Sequence, residues 1–559
     1  MESKEAYNVN VDYAEGSVED LSGISPKKLT SWQKFKKFVE LDSASDGRRS
    51  NHDLDPVPPE ERTWKMRHYA LFWVSDNLSV SGFRNAASLM EVGMSWRLSL
   101  ACIAIANIFQ GIFIVINGMV GAEFHIPFSI HSRSCFGYYL SYLFICMRMV
   151  VGTFWYAIQV YTGAECVQSM LYAIWPSFHN VENHIPVKQN ITTQFMIAYV
   201  IYFLTCMPFH YVGVQRLKWL FLVKSITTPI VSFAILGWVV AEVHKTGKPL
   251  TAAGSTISGS TLGWTFVAGL NSNVGSGTTL MVNAPDYARY ARRPSDTFSS
   301  ALAIPATGVL ITVIGVFVAQ GSQILFGTIL WDPLEVINNW TSHGGRAAAF
   351  FCALSFYSSQ LGLNIAANSL AAANDMNCLF PRYINIRRGQ FITAFIGSWA
   401  MTPWNILSSA SGFLNFMGGY SIWLCPIYGI LVTDYFFVHK KKINVPELYN
   451  FHGPYRYYKG YNWRAFVAFT IAWVPLLPGF IPVVSGFTSA NQGIAKLYKV
   501  GFWYGLFISS LSYYFLCKFF PQEETYFERG IQMDELPVQE DDEPIPVQYE
   551  EDYDSTEKK

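Results

Sequence analysis

Long apolar runs joined by short polar stretches fill the chain from about residue 69 to residue 519. A helix needs about 20 apolar residues to cross a bilayer. A window of that size finds twelve candidate spans, near 69–93, 97–121, 139–174, 193–212, 217–243, 263–288, 299–326, 346–376, 389–408, 411–437, 464–486 and 498–519. The third is too long for one upright crossing and is expected to tilt or to extend past the bilayer. The pattern predicts an all-α polytopic membrane protein in three parts: a polar, mostly disordered tail over 1–67, a twelve-helix domain over 68–520, and an acidic, disordered tail over 521–559.

Composition agrees. Of 559 residues, 51% are hydrophobic and 14% charged, well under the roughly 25% charge of soluble domains. The charges crowd into the two ends and a few loops, which points to lipid as the solvent of the remainder. Nine cysteines are scattered, several in apolar runs (Cys102, Cys146, Cys352), with no CxxC or Cys/His grouping. Buried free thiols are expected, with no metal site and no cofactor. The polar N-terminus has no apolar signal-peptide core. No GxSxG, HExxH, Walker A or GxGxxG pattern stands in a suitable context, which argues against an enzyme.

Lysines and arginines set the expected orientation. Lys65 and Arg67 precede the first span. The even-numbered loops carry Arg133; Arg216 and Lys218; Arg289, Arg292 and Arg293; Arg382, Arg387 and Arg388; and Lys440, Lys441 and Lys442. Both termini are therefore expected in the cytoplasm. The glycosylation sequons Asn190-Ile-Thr and Asn339-Trp-Thr then fall outside. The tails are candidate sites for ubiquitin or trafficking machinery, and no feature points to nucleic acid.

Two spans break the helical pattern. Span 1 contains Ser75-Asp-Asn-Leu-Ser-Val-Ser-Gly-Phe-Arg-Asn85, and span 6 contains Gly269-Leu-Asn-Ser-Asn-Val-Gly-Ser-Gly-Thr-Thr279. Unwound backbone at membrane depth is tolerated where it lines a cavity. Breaks five spans apart are the pattern of a five-plus-five inverted repeat, in which helices 1 and 6 build the site. Close packing through small residues is the competing reading.

Ionisable groups inside spans carry a functional expectation. They are Asp76 and Arg84 in span 1, Arg148 and Glu165 in span 3, and Lys224 in span 5, with Asp76 and Arg84 a candidate pair across the break. For Arg148, Glu165 and Lys224 the alternative is a structural or snorkelling role. Trp155 and Gln159 share a helix face at i and i+4. An indole can stack on a flat heterocycle while a carboxamide reads lactam or ureide edges. Gln360 and Asn364 repeat that spacing in span 8, followed by Asn368 and Ser369; helix packing is again the alternative.

Several ordered segments resemble the nucleobase:cation symporter-1 family in its fungal uracil/allantoin/uridine permease branch. They are Asn51-His-Asp-Leu-Asp-Pro-Val-Pro-Pro-Glu-Glu-Arg-Thr-Trp64, Asn283-Ala-Pro-Asp-Tyr-Ala-Arg-Tyr-Ala291, Gln360-Leu-Gly-Leu-Asn-Ile-Ala-Ala-Asn-Ser-Leu, Asp375-Met, Leu379-Phe-Pro-Arg-Tyr-Ile-Asn-Ile-Arg-Arg-Gly389, Pro403-Trp-Asn405, Asp434-Tyr-Phe and Asn462-Trp-Arg-Ala. The resemblance covers about Asn51 to Phe520. It implies two inverted five-helix repeats plus two C-terminal helices, alternating access, and a substrate site between spans 1, 3, 6, 8 and 10. It assigns substrate contacts to Trp155, Gln159 and Asn364, and a gate to Met417 or Tyr420. The chain departs from the branch at Ser79-Val-Ser-Gly-Phe-Arg84, at Gly277, where an aromatic is usual, and at Leu363, where threonine is usual. If they face the site, these positions widen the pocket or add a cationic wall, and Gly277 and Arg84 join the substrate-binding candidates.

The expected function is a permease that imports a nucleobase or relative (uracil, allantoin, uridine or similar) by cation symport across the plasma membrane. In the coupling hypothesis Lys224 substitutes for sodium and makes the cation a proton; Asp76, Ser358 and Ser359 complete the candidate site, and sodium is the alternative. A thiamine or nicotinamide riboside permease and a non-transporting nutrient receptor are the other readings. Arg84 in the pocket would oppose a cationic substrate.

Overall fold

The computed structural model describes residues 40–41, 50–212, 218–251, 254–485 and 492–535. Most of both predicted tails, and Arg216 of the orientation argument, lie outside them. Among the described residues there is no β-strand, only isolated bridges.

One or more helices stand at every predicted span. The first span is α1 (Met66–Asn77) followed by α2 (Val80–Glu91). The chain leaves the helix at Leu78, and Ser79 caps α2 by accepting from Gly82 N at 3.4 Å. Then come α3 (Trp96–Phe124), a short helix α4 (Phe128–Phe136) that the apolar pattern did not show, and α5 (Tyr138–Ile174). At 1.5 Å per residue α5 is about 55 Å long, nearly twice the bilayer core. It starts at Gly137, whose φ of 80° favours glycine and where a Cβ would sit 2.9 Å from Gly460 O. Helices α6 (Thr193–Tyr211) and α7 (Lys218–Lys245) close the first repeat.

Span 6 is divided into α8 (Gly259–Ser276), α9 (Thr278–Val282) and α10 (Ala284–Ala288), with breaks at Gly277 and Asn283. It is followed by α11 (Ser299–Phe326) and a short α12 (Pro333–Asn338). Span 8 is α13 (His343–Leu363), a π-helical stretch Asn364–Ser369, and α14 (Leu370–Leu379). The remaining spans are α15 (Ile386–Ala400), α16 (Ala410–Thr433) with a π-helical end Asp434–Val438, then Trp463–Trp473 continuing through a short 3-10 turn to Leu477–Ser485, and Gly501–Phe519. Six of these helices, unbroken or nearly so, are long and apolar enough to cross a membrane alone. The others are shorter or interrupted. Exposed Leu71, Leu204, Leu302, Phe351 and Leu511 stud the outer faces, as lipid-facing residues do.

Leu54 and Val57 are buried. Asn377 Nδ2 donates to Asn51 Oδ1 (3.1 Å), Arg289 Nη1 to Asp53 O (2.9 Å) and Tyr449 OH to Leu54 O (2.9 Å). Beyond residue 521, Thr525 is buried, Ile531 pairs with Ile443 and Val445 backbone, and Asp534 meets Arg62 at 3.1 Å. Residues 50–65 and 522–534 are thus packed together across one end of the bundle. Apolar Leu54, Val57 and Ile531, sparse among charges, are the anchors that composition alone concealed. Of the nine free cysteines, Cys146 is exposed, against expectation, and the others are buried.

Candidate functional site

One cavity runs through the middle of the bundle beside both breaks. It is lined from span 1 by Asp76, Ser79, Ser81 and Asn85, from α5 by Arg148, Trp155 and Gln159, from span 6 by Asn273, Ser276, Gly277 and Asn283, and from span 8 by Leu363, Ala367 and Asn368. Helices α3 and α11 also reach it, through Asn107, Gln110, Gly308 and Thr312.

The i, i+4 pair on α5 lines this cavity. Gln159 is held against span 1, its Nε2 donating to Ser81 Oγ at 3.1 Å. Trp155 Nε1 donates to Tyr420 OH (3.1 Å), which donates to Ser276 O (2.7 Å). Phe416 and Tyr420 stand edge-on to the indole, with centroids 5.8 and 6.3 Å away. Of the two gate candidates, Tyr420 therefore ties spans 3, 6 and 10 together, while Met417 is fully buried beside Gly275.

Asn364 is displaced. It is buried, does not line the cavity, and accepts from Asn368 Nδ2 at 3.3 Å. Asn364 thus keeps the i, i+4 relation to Gln360 that α-helical spacing implies, on a buried face that does not line the cavity. Gln360 is likewise buried away from the cavity, and Asn368 faces it instead.

Arg84 does not line the cavity either, which corrects its expected place in a cationic wall. It is 1% exposed and its Nη2 meets the carboxylates of both Glu165 and Asp332. Nη1 donates to Thr162 Oγ1 (2.8 Å), and the guanidinium lies 5.5 Å from the Trp331 ring centre. A buried guanidinium requires such anions, and Asp332, remote in sequence, supplies one. The expected pairing of Arg84 with Asp76 is absent from the ion pairs of the described residues. At the other end, Arg148 pairs with Asp375, both 1% exposed, and donates to Ala371 O at 2.5 Å.

The cation-coupling candidates gather beside the break in span 1. Ser359 Oγ donates to Leu78 O at 3.4 Å. One turn later, Lys224 packs on Gly362, its Cδ 3.0 Å from where a Cβ would stand, and its charge acts on Asp76. Ser358 is the exception, donating back to Ser355 O at 2.7 Å. Elsewhere, His131, Cys135 and Asp434 have donor atoms within 4.8 Å of one another. The Asp434 oxygens are already engaged by His439, Tyr513 and Ser134, as in a hydrogen-bonded core.

Sequence reasoning passed over Asn85, Asn107 and Gln110. Their signal was present: an amide inside an apolar span requires a partner.

Residues 56–505 match the family described as permeases for cytosine/purines, uracil, thiamine and allantoin. An uncharacterised permease of Schizosaccharomyces pombe is 40% identical over 94% of this chain and 92% of its own length. A uridine permease of Saccharomyces cerevisiae is 33% identical over 84% and 75%. The inward-facing structure of Mhp1 superposes with a TM-score of 0.67 at 20% identity, covering 86% of this chain and 96% of that one, which establishes the shared fold. The chain belongs to the family of permeases for cytosine and purines, uracil, thiamine and allantoin.

Proposed function

We propose that this permease imports a nucleobase-type heterocycle across the plasma membrane together with a proton, with both termini in the cytoplasm. The observation that carries the reading is the placement of Trp155 and Gln159 on one wall of a central cavity opposite the two broken helices. The indole offers a stacking face, and the carboxamide offers a donor and an acceptor to a lactam or ureide edge. Relatives named for uridine, allantoin and uracil support this substrate class.

Lys224, Asp76, Ser359 and the Leu78 carbonyl support cation coupling at the break in span 1. An ammonium held there fills the role of a bound cation, and its proton is the one that moves. Sodium is the competing ion, since Ser359 and a backbone carbonyl are the oxygen ligands it requires.

The test is radiolabelled uptake in cells lacking their own permeases, at pH 5 and pH 8, with and without sodium. Saturable uptake of a nucleobase or ureide, stronger at pH 5, lost in Trp155→Ala and uncoupled from pH in Lys224→Met, is expected. Sodium-dependent uptake that survives Lys224→Met would overturn proton coupling. Binding without accumulation would identify a receptor.

A further inference from the structure

The break in span 6 takes a donor away from a backbone carbonyl. In an unbroken helix Asn273 O would accept from Gly277 N; here Gly277 N turns to Val274 O at 3.2 Å. The replacement comes from another helix. Gln110, on α3, donates its Nε2 to Asn273 O at 2.5 Å and to Ser276 Oγ at 3.2 Å. Ser276 Oγ donates to the same carbonyl at 2.7 Å, so one carboxamide holds two residues at the break. A bare carbonyl is costly at membrane depth, and so is an amide in an apolar span; each satisfies the other.

Gly277 makes the contact possible. A Cβ there would stand 2.8 Å from Gln110 Cδ and 2.9 Å from its Cγ. The room that a side chain at 277 would take is therefore occupied by Gln110, and both residues line the cavity. From the break the bonding continues to the substrate wall. Tyr420 OH donates to Ser276 O at 2.7 Å and accepts from Trp155 Nε1 at 3.1 Å. Gln110, Ser276, Tyr420 and Trp155 thus form one connected line through α3, span 6, span 10 and α5. In such a line the position of Ser276 decides where the Tyr420 hydroxyl stands, and the hydroxyl decides which way the indole nitrogen turns.

We propose that Gln110 is a positioning residue for transport: by holding Ser276 at the break it sets, through Tyr420, the orientation of the Trp155 indole against the substrate. The proposal rests on the reading of Trp155 as the stacking face.

The test has two readouts. The first needs no substrate: fluorine NMR of the purified permease labelled with 5-fluorotryptophan, in which the resonance missing from Trp155→Phe is that of Trp155. Gln110→Met keeps the length of the stem and removes the donor. It is expected to shift the Trp155 resonance, as Tyr420→Phe does. Gly277→Ala presses a methyl group onto the carboxamide with Gln110 in place; it is expected to shift the resonance too and serves where Gln110→Met fails to fold. An unmoved resonance in a folded variant overturns the proposal. The second readout is uptake of radiolabelled uracil, uridine and allantoin in cells lacking their own permeases. For a substrate that the unaltered protein carries, Gln110→Met at equal surface amounts is expected to raise KM by about tenfold and to keep the maximal rate within about threefold. An unchanged KM overturns the proposal. Uptake of none of the three by protein at the surface overturns the stacking reading, and the fluorine spectrum alone then decides whether Gln110 orients the indole.

Discussion

Arg148 and Glu165 stand on the same helix, α5, about 25 Å apart at 1.5 Å per residue, and each is tied across the bundle by a buried ion pair. Trp155 and Gln159 lie between them. The cavity wall they form therefore sits midway along a rod clamped at both ends: to α14 through Asp375 at one end, and to α2 and α12 through Arg84 at the other. Alternating access requires that one end can open while the other holds. Two separate clamps on one helix supply two places where that choice is made.

The far clamp has two carboxylates on one guanidinium. Arg84→Ala leaves buried Asp332 and partly buried Glu165 without a cation, a change that typically costs about 3–5 kcal/mol. A lowered melting temperature and loss of uptake are expected. Glu165→Gln removes one anion and leaves Asp332 on Arg84, so its melting temperature should stay close to that of the unaltered protein. Thermal unfolding in detergent measures both; equal losses in the two variants would show that the clamp is not a charge-balanced unit.

The near clamp pairs Arg148 with Asp375, and the Arg148 charge also acts on the buried Asp286. Asp375→Asn removes the direct partner of Arg148 beside the cavity and should lower stability by up to about 3 kcal/mol. Adding Arg148→Gln removes the stranded charge, and the double variant should unfold at a higher temperature than Asp375→Asn alone while still failing to transport. A double variant less stable than the single would mean that Arg148 is held by Ala371 O and its packing rather than by the pair.

Much of this arrangement was legible in the sequence because membrane burial is a strong signal. The long apolar runs gave the spans, and the glycine–asparagine clusters gave the breaks at Leu78 and Gly277. Trp155 and Gln159 could be placed together because α5 is a regular helix. Asn364 could not, because spacing puts it on one face with Gln360 but does not say which face of span 8 turns to the cavity. Arg84 was read as facing the pocket because its partner Asp332 is 248 positions away, and pairing at that range is invisible to local pattern. Asn107 and Gln110 were overlooked among apolar neighbours, although their cost in lipid marked them.

A pH dependence of stability follows from His131 on α4. The ring is fully buried, and neither nitrogen has a hydrogen-bond partner. Burial pushes its pKa down to about 4, with Asp434 opposing the shift and His439 adding to it. The folded pKa is thus depressed below the unfolded value of about 6.5. The folded protein binds fewer protons, so stability is full above pH 6.5 and is lost as the pH falls towards 4, by an amount on the order of 3 kcal/mol. His131→Leu should reduce the drop in melting temperature between pH 7 and pH 4.5. An unchanged drop would assign the acid sensitivity to other groups.

Backbone approaches backbone closely between α3 and α10. A Cβ on Gly121 would stand 2.6 Å from both the Cα and the carbonyl oxygen of Pro285. Neither atom belongs to a flexible side chain, so the strain cannot be relieved by a rotamer change. On the same face of α3, Asn117 Nδ2 donates to Met281 O (2.8 Å) and Val282 O (2.9 Å), which fixes the register of the two helices. Gly121→Ala is therefore expected to push α3 away from the broken span and destabilise the protein by about 1–3 kcal/mol, with reduced amounts at the cell surface. Gly118, also on this helix, has only Ala288 and Ala284 side chains at 3.5 and 3.8 Å from its Cβ position, so Gly118→Ala should be tolerated. Melting temperatures of the two variants side by side are the measurement; equal tolerance would mean that α10 can slide along α3, and that the packing of span 6 against α3 is looser than its contacts imply.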